Sequence, residues 1–340
     1  NESEENLGIK PLPNLEFNFI SANSLISIKV KNNAQQSFNS MYIDGVVEKI
    51  KSISEDYFNS SSKENKDNVK HRFNELIDFI DKNDYLEKED KKKFLSWNPF
   101  ENKPVEFFDS EIQFGIKSFD IVIGNPPYGA KLTNEEKKIY KSLFKYTTQG
   151  AMDTYKLFIE KGFNLLKKEG NLNYIVPMSV TSSKSNIALH KMLLENCELI
   201  KISSYGHRPV KIFYNAEQRT SIISFIKTNS KCKNLMTTKL NRRYSNQSID
   251  SVIKNMSFIN SVDFVQPEAF CKIGLPIEKS IMQKIYSNKK TIKDLMNGKQ
   301  KVYFRNTGGG YYDLYTSYST KSNKENSFNL ILDGNIVCIF

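Results

Sequence analysis

The chain has 340 residues, 39% of them hydrophobic and 12% aromatic, enough apolar material for a large core and too much for a disordered chain. Its formal net charge of +11 favours a polyanionic partner, an argument worth about half its face value because a chain so rich in Asn, Lys and Ile also follows from an AT-rich gene. No signal peptide and no apolar run near the ~20 residues of a membrane span is visible, and the 4 cysteines stand far apart without zinc spacing. A cytoplasmic protein with reduced thiols, no membrane partner and no metal is expected. The chain starts at Asn1 and stops at the strand-like "NIVCIF", so it reads as a piece of a longer protein.

In chain order, "PLPNLEFNFISANSLI" (11–26) predicts a turn and then a strand over residues 17–21, with Ala22, Asn23 and Ser24 at its exit. Polar residues at the carboxyl end of a strand are where open α/β sheets place ligands. Residues 46–95 are dense in Lys, Glu, Asp and Asn, and "FNELIDFIDKNDYL" spaces its apolar residues helically, which predicts a helical insertion solvated on one side. In "FDIVIGNPPYG" (119–129), the apolar run 119–123 predicts a buried central strand of a parallel sheet. "AKLTNEEKKIYKSLF" predicts a loop entering a helix, with Thr133 as N-cap and Glu136 completing a capping box.

"DTYKLFIEKGFNLLKKEG" (153–170) predicts an amphipathic helix closed by Lys167, Lys168 and Gly170. A strand in "NLNYIVPMSV", a helix in "NIALHKMLLEN" and strands in "CELIKISSY" and "TSIISFIK" follow. This alternation predicts an α/β fold with a doubly wound, Rossmann-like sheet. Past residue 230 the rhythm becomes polar and basic. The expected division is a first domain over 1–228, a linker over 229–270 and a mixed region over 271–340.

The strand that ends in "NPPY" poses the chemical question. Two prolines fix φ and remove two N–H donors while keeping their carbonyls, so a ligand there meets fixed acceptors and one aromatic face. The Asn125 side-chain oxygen and the Pro126 carbonyl can grip the two N–H bonds of an exocyclic amine and draw its nitrogen toward tetrahedral geometry. That geometry is what attack on a sulfonium methyl requires, and the same dipoles stabilise the positive charge that grows on nitrogen. Pro127 completes the rigid turn, and Tyr128 offers a stacking face for a planar ring. The bland alternative is a stiff strand-to-loop turn without chemistry.

With these residues in view, the sequence resembles the adenine-N6 DNA methyltransferase region of type IIG, Eco57I-like restriction-modification enzymes. The ordered set "PLPNLEFNFISANSLI", charged insertion, "FDIVIGNPPYG", "DTYKLFIEKGFNLLKKEG" and "YIVPMSV" carries the resemblance over about residues 11–228. It implies S-adenosylmethionine as cofactor, double-stranded DNA as partner with the target adenine extruded from its stack, a nuclease fused upstream, and a truncated target-recognition region over 271–340. By position it implies that Asn125, Pro126, Pro127 and Tyr128 bind and activate the flipped adenine. Asn23 of "ANSL" would contact the cofactor, Asp153 and Tyr155 would line the same cleft, and Phe213 of "VKIFYNAEQRTSI" would stack on the flipped base.

Each of these has a plainer reading: a strand-end turn for Asn23, ordinary helix spacing for Asp153 and Tyr155, and core packing for Phe213. Arg242, Arg243, Tyr244, Arg305, Tyr311 and Tyr312 pair cations with aromatic faces suited to phosphates and base edges, against the plainer reading of a solvated surface. The family's glycine-rich cofactor loop belongs upstream of residue 11 and is absent, and "NTGGGYYD" follows no strand that would let it serve instead. His71, His190 and His207 form no constellation and receive no catalytic role.

Two other readings use the same residues. Protein-glutamine and RNA-adenine N-methyltransferases apply the "NPPY" logic to other acceptors, and the long insertion and the region beyond the sheet argue against them. A catalytically incomplete DNA-binding fragment is the third reading, and the missing loop argues for it.

Overall fold

The computed structural model describes residues 14–28, 36–83, 86–101, 103–212, 218–288, 300–303 and 327–330. The charged stretch folds as three helices, α1 (Gln36–Asn59), α2 (Lys63–Lys82) and α3 (Lys88–Leu95), so the insertion begins before residue 46. In α2 the side chains of Val69, Phe73, Leu76 and Ile80 recur every three or four residues and are buried, while the polar residues between them face outward. The insertion closes on aromatic rings: Phe73 meets Trp97 at 5.6 Å and Phe100 at 5.5 Å, both nearly edge-on.

The strand expected over residues 17–21 does not form. Residues 16–18 turn, and this segment pairs only at a parallel Ala22–Val105 bridge. Phe17 is buried against Tyr57, Phe73 and Phe100, so docking into the insertion core overrides strand propensity here.

After the short α4 (Ser110–Phe114) comes β1 (Phe119–Gly124), the first strand of a six-stranded sheet. The elements that follow are α5 (Asn134–Leu143), α6 (Thr154–Leu165), β2 (Leu166–Pro177), α7 (Ile187–Asn196), β3 (Cys197–Tyr205), β4 (Thr220–Lys227), β5 (Asn234–Asn241), α8 (Ile249–Lys254) and β6 (Ile259–Asn260). The sheet order is β1-β2-β4-β3-β5-β6. Strands β1 and β2 are parallel, as are β3 and β5, and β4 runs antiparallel between β2 and β3. No helix among the described residues links β3 to β4, and a connection without a crossover helix suits antiparallel pairing. The fold is thus the expected α/β sheet with one reversed strand inside it.

Three sequence expectations change here. The run at 119–123 is an edge strand rather than a central one: among the described residues β1 pairs with β2 alone, and Ile121 and Ile123 are 64% and 78% exposed. An apolar run states what a strand could bury, but a second neighbour on its other side is a tertiary matter. The helix expected over 153–170 stops at Leu165, and Lys167, Lys168 and Gly170 lie in β2. Both Leu166 and Asn171 pair with β1, so the residues between them bulge from the ladder, with Glu169 at φ 67°. Lastly, β5 is a full member of the sheet inside the stretch expected as linker, and the first compact unit runs to Leu275.

One face of the sheet carries Leu172, Tyr174, Val176, Ile200, Ile202, Ile223, Phe225 and Leu235, packed with Tyr155 and Ile159 of α6 and Leu189, Met192 and Leu193 of α7. Gly162 lets α6 lie flush on β2, since a Cβ there would sit 2.5 Å from Leu172 Cδ1. The second unit, Pro276–Phe340, is described by helix α9 (Pro276–Tyr286) and the antiparallel pair β7 (Gln300–Tyr303) and β8 (Ser327–Leu330). No helix among the described residues is long and apolar enough to cross a membrane.

Candidate active site at the carboxyl edge of the sheet

Strands β1, β2, β3 and β5 all point the same way, so their carboxyl ends share one edge with the start of β4. Asn125–Pro126–Pro127–Tyr128 leaves β1 at that edge. The Asn125 side chain is exposed and has no hydrogen-bond partner among the described residues, Pro126 is buried and Pro127 exposed. Tyr128 is half-buried against the sheet core. The loop then turns through Gly129, whose φ of 74° suits a residue without Cβ.

Helix α6 holds this loop from behind. The Thr154 hydroxyl donates to the Pro127 carbonyl at 2.7 Å, and the Gly129 N–H donates to Asp153 Oδ1 at 3.1 Å. No donor among the described residues reaches the Pro126 carbonyl. One turn on, the buried Lys156 Nζ donates to the carbonyls of Ala151 (2.8 Å) and Ser185 (2.6 Å), and burial lowers its pKa from the ordinary lysine value. A further turn on, the buried Glu160 carboxylate accepts from the N–H groups of Lys145, Tyr146 and Thr147 and from the Thr147 hydroxyl, at 2.7 to 3.2 Å.

Tyr155 faces the other way. It is 2% exposed, with its hydroxyl 3.3 Å from Ser179 Oγ and accepting from Asn186 Nδ2 at 3.4 Å, and burial raises its pKa. It supports the end of β2 from below.

Asn23 sits in the turn that carries Leu25, and Leu25 packs with Tyr140 of α5 and with Leu157 of α6, one turn from Thr154. Its Oδ1 accepts from the Leu25 N–H at 3.2 Å, and burial raises the pKa of the nearby Tyr140, with Asn23 partly offsetting that rise. The expected α5 cap is present: Thr133 Oγ1 accepts from the Glu136 N–H at 3.1 Å, and Glu136 Oε2 accepts from the Thr133 N–H at 2.7 Å.

Arg242 and Arg243 follow β5 at the same edge, four strands from β1, which is roughly 19 Å at about 4.8 Å per strand. Arg243 donates to the carbonyls of Gln247 (3.0 Å) and Lys211 (3.3 Å) and braces the 206–212 loop, whereas Arg242 is exposed. Phe213, Arg305, Tyr311 and Tyr312 lie outside the described residues. Among the described residues no cluster of His, Cys, Asp and Glu is placed to hold a metal ion. Thr154 and Gly129 were not singled out in the sequence; the signal available was their position, closing the "NPPY" loop and opening the next helix.

A sheet whose parallel strands share one carboxyl edge, with an exposed amide, a prolyl carbonyl and a tyrosine ring leaving β1 there, has the Rossmann-like form. The family model described as Eco57I restriction-modification methylase matches residues 18–213, more than half of the chain, and the chain belongs to that family. It is 33% identical over 155 residues to the type II restriction enzyme and methyltransferase RM.Eco57I of Escherichia coli, a match covering 44% of this chain and 14% of that protein. It is also 32% identical over 113 residues to the type II methyltransferase M.HincII of Haemophilus influenzae, covering 32% of this chain and 22% of that protein. The matched segments are thus less than a quarter of either relative. The nuclease-deleted type ISP restriction-modification enzyme LlaGI, solved with a DNA substrate mimic, aligns over 77% of this chain and 33% of its own at 14% identity and a TM-score of 0.39.

Proposed function

We propose that this protein transfers a methyl group from S-adenosylmethionine to the N6 amine of an adenine extruded from duplex DNA, as the modification activity of a restriction-modification system. The observation that supports this best is the strand-end loop: an exposed Asn125 amide beside the Pro126 carbonyl, with Tyr128 flanking them. Asn125 Oδ1 and the Pro126 carbonyl accept the two N–H bonds of the amine, and Tyr128 stacks on the purine. The cofactor supplies a methyl group activated on a sulfonium. With the amine held by Asn125 and Pro126, its lone pair would form the N–C bond, the C–S electron pair would stay on sulfur, and the surplus proton would leave the nitrogen for solvent. The neutral Asn125 amide suffices, since the amine attacks before it loses that proton.

Asn23 fits the cofactor's adenine. Its Oδ1 accepts from the Leu25 N–H with one lone pair to spare, and beside it the amide N–H groups can donate, a donor–acceptor couple that matches a purine edge. Asp153 stands at the adjoining helix start, where its second carboxylate oxygen serves the cofactor cleft. The exposed Arg242 contacts a phosphate of the same duplex, and Phe213, Arg305 and Tyr311, which lie outside the described residues, are assigned by residue type alone, Phe213 to stacking on the extruded base and the other two to DNA contact.

The test is transfer of labelled methyl from S-adenosylmethionine by the intact protein and by Asn125→Ala, offered unmethylated duplex DNA, RNA and a translation release factor separately. The expected result is N6-methyladenine in DNA, with kcat lowered about 10²–10³-fold in the variant. Label only in RNA or in the release factor would move the acceptor, and label in none would leave a binding protein with a relic loop.

A further inference from the structure

Helix α6 carries more polar burial than a helix needs to pack on a sheet. Thr154, Lys156 and Glu160 are 4%, 1% and 3% exposed, and none of them bonds to the sheet's own ladder. Their main partners are backbone groups of separate loops: Pro127 for Thr154, whose hydroxyl also lies 3.5 Å from Asp153 Oδ1, Ala151 and Ser185 for Lys156, and residues 145–147 for Glu160, which the Thr147 hydroxyl joins. Asp153, at the same end, receives the Gly129 N–H.

The two contacts on the "NPPY" loop have a specific consequence. Successive carbonyls of an extended backbone diverge, and the residue before a proline is held in that extended region. Pinning the Pro127 carbonyl to the Thr154 hydroxyl at 2.7 Å therefore turns the Pro126 carbonyl away from α6. The Gly129 bond to Asp153, two residues on, removes the remaining freedom to rotate the loop, because Gly129 at φ 74° would otherwise be its most pliable point. A buried hydroxyl that lost its acceptor would also incur a desolvation cost, so the latch resists opening.

We infer that Asp153 and Thr154 are positioning residues for methyl transfer: they decide that the Pro126 carbonyl, and not that of Pro127, is the backbone acceptor beside Asn125. This rests on the proposed methyl transfer for its kinetic consequence but not for its structural one, so the test has two independent readouts.

The first readout is hydrogen–deuterium exchange of the peptide spanning residues 125–131 in the intact protein without DNA. Thr154→Val and Asp153→Ala are expected to speed exchange at the Tyr128 and Gly129 amides about tenfold or more, while Thr154→Ser and Asp153→Asn, which keep the donor and the acceptor, stay near wild type. The second readout is steady-state methyl transfer to duplex DNA. Thr154→Val is expected to lower kcat about 10- to 100-fold with KM for S-adenosylmethionine and DNA nearly unchanged, since a misplacement of about 1 Å at a reacting group is felt on that scale. Thr154→Ser should restore kcat to within about threefold. Unchanged exchange in both Thr154→Val and Asp153→Ala overturns the latch, and faster exchange with unchanged kcat in an active enzyme overturns its positioning role. If the wild type transfers no methyl, the proposed function falls and exchange alone decides the latch. Should Thr154→Val fail to fold, Thr154→Ala, which also removes the hydroxyl, carries both readouts with the same criteria, and Asp153→Ala carries the exchange readout alone.

Discussion

The helical insertion and the α6 face of the sheet are both tightly packed, yet different forces hold them. The insertion closes on Phe17, Phe73, Phe94, Trp97 and Phe107, and among its described residues only Asp90, Ser110 and Gln113 are buried polar groups. Helix α6 alone buries Thr154, Lys156 and Glu160 and ties each to named backbone atoms. Ring packing is largely non-directional and tolerates small shifts, whereas a hydrogen bond to a particular carbonyl fixes a loop to tenths of an ångström. A scaffold needs only the first kind of order, and a site that must aim two acceptors at one amine needs the second.

The largest test of that contrast is Phe73→Ala. Removing a ring that meets Phe17, Trp97 and Phe100 should cost about 4 kcal/mol, read by calorimetry, with exchange rising in α1–α3 and methyl transfer retained at low temperature. Loss of exchange protection across the sheet as well would mean the two regions fold as one. Glu160→Gln comes next, at about 2–3 kcal/mol, because an amide turns one acceptor oxygen into a donor facing the N–H groups of residues 145–147. A variant as stable as wild type would show that these N–H groups have another acceptor and that α6 does not organise the loop.

Gly162→Ala probes the fit of α6 itself. The added methyl meets Leu172 Cδ1 at 2.5 Å and should cost roughly 1–3 kcal/mol in urea denaturation; a neutral result would mean the helix can lift without loss.

The smallest effect is a pH dependence. His190 is stacked on Phe270 with centroids 4.0 Å apart, its Nε2 is 2.7 Å from the Val180 carbonyl and its Nδ1 3.1 Å from that of Pro267. Burial holds its pKa below the ordinary histidine value, the charge of Lys156 adds to this, and the two carbonyls oppose it in part. With the folded value below the unfolded one of about 6.5, the unfolded chain binds the proton first, so stability is full above that pH and declines as pH falls below it. The urea midpoint should drop between pH 7.5 and 5.5, and the drop should shrink in His190→Gln. Equal drops in both proteins would remove His190 from the account.

Local chemistry made much of this molecule legible. The Thr133–Glu136 capping box, strands β3 and β4, helix α7 and the "NPPY" loop each rest on residues a few positions apart, and each is where the pattern puts it. The placing of Asn125 and Tyr128 at a strand end was readable for the same reason, since the tetrapeptide directly follows the apolar run that forms β1.

What tertiary structure alone decided concerns pairs of residues far apart in the chain. The exposure of Ile121 and Ile123 depends on which strands flank β1, and the reversal of β4 on how the chain returns after Tyr205. Leu166 joins β1 rather than the helix because Phe119 lies opposite it. The free carbonyl at Pro126 exists because a threonine 28 residues away occupies its neighbour, and hydrogen bonds across such separations leave no periodic mark on the sequence.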